Sequence, residues 1–238
     1  MTMARAWAEQ GHVAWILEWR GHGRSDRVAE PYDMETVAER DVPAALHELQ
    51  RLAPLAPLCV ATHSGGGLAL TMALLRQPGL ASRLHKVALF ACQACDAAGT
   101  PWRVARLAAA AAITRVYGRI PARPLRLGVQ DESHAMMGPW FRWNLTRSFR
   151  GRDGFDYGAR QRDIVVPVMA IAAQADHFIA PAGACHRFWS RFGAPAQGQF
   201  LVCGPSTGYA QAYGHATIMH SPQAAQEVLP GVIAWLLQ

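Results

Sequence analysis

Short apolar runs alternate with helix-periodic stretches along almost the whole chain, and no other feature limits the fold as much. Runs of strand length fall at 13–17, 58–62, 86–91, 165–171 and 199–202. Helical stretches at 2–9, 34–51, 68–76, 181–191 and 222–237 separate or flank them. Strand followed by helix, repeated, builds a parallel sheet covered by helices on both faces. The expected class is α/β. The last helix has a clear start, with Ser221 as N-cap and Pro222 at the first helical position. The alternation is interrupted once. Between residues 91 and 165 lie about 70 residues without a strand signal. They hold helical stretches at 102–117 and 139–147 and the breakers Pro121 and Pro124. Such an insertion at a sheet edge serves as a lid or cap. The expected organisation is core at 1–95, helical cap at 96–155 and core again at 156–238.

With 238 residues, 51% hydrophobic and 17% charged, the chain has enough apolar surface for a buried core and is not disordered. No apolar run reaches the roughly 18–20 residues of a membrane helix. Residues 1–10 lack the apolar centre of a signal peptide and contain Glu9. A cytoplasmic location is expected. Of the basic residues 22 are arginine and one, Lys86, is lysine. Ten of those arginines fall between Pro101 and Arg152 against Asp131 and Glu132, a local net charge of +8 where the whole chain has +6. The block fits anionic lipid headgroups or acidic substrates, and a solvated helical face accounts for it more simply. It has no ordered aromatic pattern of a nucleic-acid binder. Cys59, Cys92, Cys95, Cys185 and Cys203 read as reduced, structural thiols. Cys92-x-x-Cys95 alone does not make a zinc site, and neither a metal nor an organic cofactor is expected.

Serine becomes a nucleophile only when a base takes its proton and a third group orients that base. Thr62-His63-Ser64-Gly65-Gly66 follows one apolar run and precedes a helical one. That setting presents a serine hydroxyl above the sheet on a sharp turn. The residues two before and two after such a serine crowd each other, so Gly66 fits well and Thr62 is a larger residue than usual. The Gly65 N–H is placed to donate to an oxyanion. Asp153, Asp156 and Asp163 precede the 165–171 run, whereas Asp176 follows it, at the strand end where α/β sheets build sites. Asp176 is therefore the candidate acid. His215 and His220 compete as base. His215 sits in a glycine-containing loop that can reach Ser64, while His220 immediately precedes an N-cap. His63 leaves the turn in another direction from Ser64 and reads as structural, with substrate contact as its other reading. His22, with Arg20 and Asp26 pinning its loop, reads as structural too. Met136, Met137, Trp140 and Phe141 suit an acyl-chain pocket or the cap's own small core. Asn144-Leu145-Thr146 matches a glycosylation sequon without a secretory context.

Four segments, in order, resemble the α/β-hydrolase superfamily, and within it the esterase, monoacylglycerol-lipase and S33-type serine aminopeptidase branch. Trp19-Arg20-Gly21-His22-Gly23-Arg24-Ser25-Asp26 is similar to the loop after that family's fourth strand, and Thr62–Gly66 to its nucleophile elbow. Gln174-Ala175-Asp176-His177 is similar to its acid loop. Tyr213-Gly214-His215, followed by Glu227-Val228-Leu229-Pro230, is similar to its histidine loop and closing helix. The resemblance implies an α/β-hydrolase fold, a Ser64–His215–Asp176 triad and hydrolysis of carboxylic esters. A peptidase or thioesterase using the same triad, or a non-catalytic binding protein of this fold, is the alternative. It also implies three further strands ahead of Arg20. The third would carry a second oxyanion donor and lie between the strands expected at 13–17 and 58–62. The chain thus reads as truncated at its N-terminus, through an upstream natural start or as a genuine short form. A strand at 13–17 should then stand apart from 58–62.

Overall fold

The computed structural model describes residues 3–120 and 131–238. In chain order the strands are β1 (Leu58–His63), β2 (Leu84–Phe90), β3 (Arg119–Ile120), β4 (Glu132–Ser133), β5 (Val168–Ala173) and β6 (Gln199–Cys203). The helices begin with α1 (Met3–Ala8), α2 (Met34–Thr36), α3 (Val42–Leu52), α4 (Gly65–Arg76), α5 (Pro101–Tyr117) and α6 (His134–Thr146). They continue with α7 (Tyr157–Arg160), α8 (Ala182–Trp189), α9 (Thr217–His220), α10 (Pro222–Glu227) and α11 (Leu229–Leu237). β1, β2, β5 and β6 form one parallel sheet in the order β1-β2-β5-β6. β3 and β4 pair antiparallel on either side of 121–130, so Pro121 and Pro124 lie outside the described residues.

Side chains alternate across a strand with period two, and the sheet uses that to fill two cores. From β2, Val87 and Leu89 join one core, and Ala88 and Phe90 the other. The first core is closed by Val42 and Leu46 of α3, Leu68 and Met72 of α4, and Trp140 and Trp143 of α6. The second is closed by Met3 of α1 and by Leu229, Val232, Ile233 and Leu236 of α11. β2 and β5 are thus enclosed on both faces. No described helix is long and apolar enough to cross a membrane.

Local chemistry moved several boundaries. Residues 34–51 are one helical run in which residues Val37–Asp41 form a π turn. Pro43 lacks the N–H that would bond to Glu39, and the widened turn directly precedes it, closed by Val42 N–H to Val37 C=O. The final helix is two helices, α10 and α11, because Pro230 cannot donate to the preceding turn. The expected start of that run holds: Ser221 Oγ accepts the Ala224 N–H at 3.1 Å. α6 begins at His134, ahead of Pro139, with Ser133 as N-cap. β5 begins only after Pro167, which has no N–H for a ladder.

The expected strand at 13–17 does not form. The chain there is extended without a ladder, and Val13 and Ile16 are 77% and 72% exposed. A strand exists through its partner's hydrogen bonds, and this segment pairs with nothing in the sheet. β1 is consequently an edge strand, half-buried along its whole length.

Candidate active site

Three loops at the C-terminal ends of parallel strands converge. Ser64 follows β1, Asp176 follows β5 and His215 follows β6. Ser64 N–H still donates to the Phe90 carbonyl of β2 at 2.8 Å, which ties the turn to the sheet. Its φ of 52° and ψ of −120° are a conformation that side chains other than glycine rarely adopt. α4 starts at the next residue. Gly65, in its first turn, has an N–H with no intrahelical acceptor.

Asp176 and His215 are 5% and 8% exposed. Asp176 Oδ2 and His215 Nδ1 are 2.6 Å apart, and His215 Nε2 lies 2.9 Å from Ser64 Oγ. A carboxylate only accepts, so the imidazole proton sits on Nδ1 and leaves Nε2 to accept the Ser64 hydroxyl. Asp176 accepts further from the Ile179 and Ala180 N–H groups, each at 3.0 Å. Burial alone pushes the Asp176 carboxyl up. The hydrogen bond and charge of His215, with those two backbone donors, outweigh burial and hold it below its ordinary value. The acid and base loops are laced together as well: Gln174 N–H donates to Cys203 C=O and Ala175 N–H to Tyr213 C=O. Tyr213 OH in turn donates to Glu227 at the end of α10.

His63 and His220 take other places. A carbonyl only accepts, so His63 donates from Nε2 to the His215 carbonyl, at 2.7 Å. Burial, then the nearby His215, pushes the His63 imidazole down to about 3, so it stays neutral. Its ring lies 4.8 Å from that of His215 and 5.9 Å from that of His220. Burial also lowers His220, which sits at the end of α9. His63 therefore faces the His215 loop. Of the other aspartates, Asp153 pairs with Arg76, Asp156 caps α7 and pairs with Arg150, and Asp163 pairs with Arg160.

The close approach of α4 to the sheet falls one residue later than the sequence suggests. A Cβ on Gly66 would meet Thr62 Cβ at an ordinary 3.6 Å, which explains why a threonine fits there. A Cβ on Gly67 would lie 2.6 Å from Cys92 Sγ and 3.1 Å from Thr62 Oγ1. The Gly65-Gly66-Gly67 run carried that signal. Cys92 is buried against this contact, and Cys95 is buried beside Asp96 and Arg191. Burial raises both thiols, which makes them poor nucleophiles.

The residues weighed for an acyl pocket go elsewhere. Met136, Trp140 and Phe141 are buried in the first core, and Met137 packs against it. A cleft of about 390 Å³ is lined instead by another face of α6, including His134, Gly138 and Arg142, together with Tyr32 and Asp33. Asn144 is fully buried: it donates to the Ala94 and Trp140 carbonyls and accepts the Ala97 N–H. That anchors α6 to the loop after β2 and leaves no room for a glycan on the folded chain. Arg20 pairs with Asp41 rather than Asp26, whose carbonyl accepts the Gly21 N–H. His22 bridges to Glu132 of β4. No group of three or more His, Cys, Asp and Glu side chains among the described residues is arranged to hold a metal.

The parallel sheet with helices on both faces is the fold of the α/β hydrolases. The chain belongs to the serine aminopeptidase S33 family, whose profile matches residues 1–135. No curated protein sequence matches it significantly. Among solved structures it is similar to a monoacylglycerol lipase of Paleococcus ferrophilus, with TM-score 0.58 and 16% identity over 92% of this chain and 80% of that one. It is similar to a thermophilic esterase of Thermogutta terrifontis, with TM-score 0.59 and 16% identity over 99% and 84%. A hydrolase of Oleispira antarctica is similar at TM-score 0.55 and 14% identity over 99% and 86%. At such identities the likeness establishes the fold.

Proposed function

We propose that the chain is a serine hydrolase of carboxylic esters. The observation that carries this reading is the unbroken hydrogen-bonded line from Asp176 through His215 to Ser64, ending on a serine in a strained turn. In this reading Ser64 Oγ attacks the ester carbonyl while its proton passes to His215 Nε2. Asp176 holds the tautomer and stabilises the imidazolium. The Gly65 N–H donates to the oxyanion. His215 then returns the proton to the departing alcohol, and water repeats the sequence on the acyl-enzyme. Residues 96–155 act as the cap. Similarity to a lipase and an esterase favours esters, while the family's description favours the amide bond of an N-terminal residue, so peptide hydrolysis is the second reading.

Two substrates separate these readings: a short p-nitrophenyl ester and an aminoacyl p-nitroanilide. The ester should be cleaved faster, and Ser64→Ala should abolish cleavage with unchanged thermal melting. Faster anilide cleavage would replace the ester reading by the peptidase one. Cleavage that survives Ser64→Ala would refute both.

A further inference from the structure

We propose that the outward face of α5 docks on an anionic lipid surface. α5 is a 17-residue helix without an acidic residue, and only Leu107 and Thr114 are buried on it. Residues advance about 100° around a helix axis, so those two mark one stripe, with the opposite arc facing solvent. That outer arc holds Trp102, Ala105, Ala109, Ala112, Ile113 and Val116, all exposed. Trp102 is 69% exposed and Val116 82%. The usual surface helix turns its apolar stripe inward and its charges outward. Here the most solvent-facing stripe is apolar.

Charge selects the occupant. Arg106 and Arg115 flank the arc on its two sides, and Arg106 is held there with its guanidinium 4.4 Å from the centre of the Phe178 ring. Tyr117, also exposed, lies at the helix end. An apolar stripe with arginines along both margins and aromatic residues at the ends suits a helix lying in a headgroup layer. Its arginines reach the phosphates while its apolar stripe enters the acyl boundary. A second copy fits less well, since face-to-face pairing would oppose arginines with no acid on either helix. Phe178 is two residues beyond Asp176, so a surface bound at α5 lies beside the acid loop.

The test reads binding and not hydrolysis, so it is independent of the proposed chemistry. The full chain is sedimented with phosphatidylcholine vesicles and with vesicles containing about one-third phosphatidylglycerol. Binding to the anionic vesicles should be at least about tenfold stronger and should weaken with salt. Ile113→Glu with Val116→Glu should remove it, and Arg115→Gln should weaken it about fivefold. These positions are exposed, so thermal melting should not change. Equal binding to both vesicle types, binding to neither, or binding that survives the double substitution would overturn the proposal. A concentration-dependent dimer that the double substitution splits would assign the face to a second copy and overturn it as well.

Discussion

β2 and β5 lie between two layers of helices, whereas β1 has a neighbour on one side only and the apolar segment before it lies in water. The two regions have similar side chains. Phe90 and Ile171 are fully buried, while Trp15, Ile16 and Leu17 are exposed. Partners, not composition, separate them. The site spans this difference. Asp176 comes from the end of enclosed β5, His215 from a loop after β6 that is laced to the Asp176 loop, and Ser64 from the end of β1, an edge strand. The Ser64 N–H bond to Phe90, the packing of α4 and the His63 bond to the His215 carbonyl hold the serine turn to the rest of the site.

If the enclosed side supplies the working geometry, its polar contacts should carry the largest effect. Asp176→Asn keeps the shape but offers the wrong tautomer partner, and should lower kcat about 10⁴-fold. Steady-state hydrolysis measures this; a loss of only a few fold would place the acid elsewhere. Next comes packing. Phe90→Ala should cost about 3–5 kcal/mol in urea unfolding, whereas Ile16→Ala should stay within about 0.5 kcal/mol. Comparable costs would erase the contrast between the two regions.

A smaller effect tests the join between them. Gly67→Ala pushes a methyl against Cys92 and should cost about 1–3 kcal/mol, while Gly66→Ala at the roomier position should cost less. The reverse order would move the tight contact back to Gly66. The last effect is a slope, spread over several pH units. His63 is near its ordinary value when unfolded and at about 3 when folded, so the unfolded chain binds the proton first. The stabilisation is complete above about pH 6.5 and is lost as pH falls toward 3, at up to about 1.4 kcal/mol per pH unit. His63→Asn should flatten that part of the stability–pH curve. An unchanged slope would show that His63 titrates normally.

What the sequence made legible follows the same division. Ser64, Asp176 and His215 could be selected because a strand–turn–helix setting, a position after a strand and a glycine-containing loop are local patterns. β1, β2, β5 and β6 were legible because apolar runs of strand length found ladder partners in the sheet. The 13–17 run has the same pattern and failed, because a strand needs a partner that local sequence does not specify. Long-range pairs were hidden for the same reason: Arg20 with Asp41, His22 with Glu132, and His63 with the His215 carbonyl. The π turn before Pro43 and the break at Pro230 were visible as prolines and passed over in favour of helical periodicity.

The central claim is that Ser64, at the end of an edge strand, is activated by His215, which Asp176 holds from the end of enclosed β5. The most direct measurement is covalent labelling by a fluorophosphonate probe, read by mass spectrometry of the digested chain. One adduct on Ser64 is expected, forming orders of magnitude more slowly in His215→Ala and unaffected in His220→Ala. Absence of an adduct on Ser64, or equal labelling rates in wild type and His215→Ala, would contradict the account.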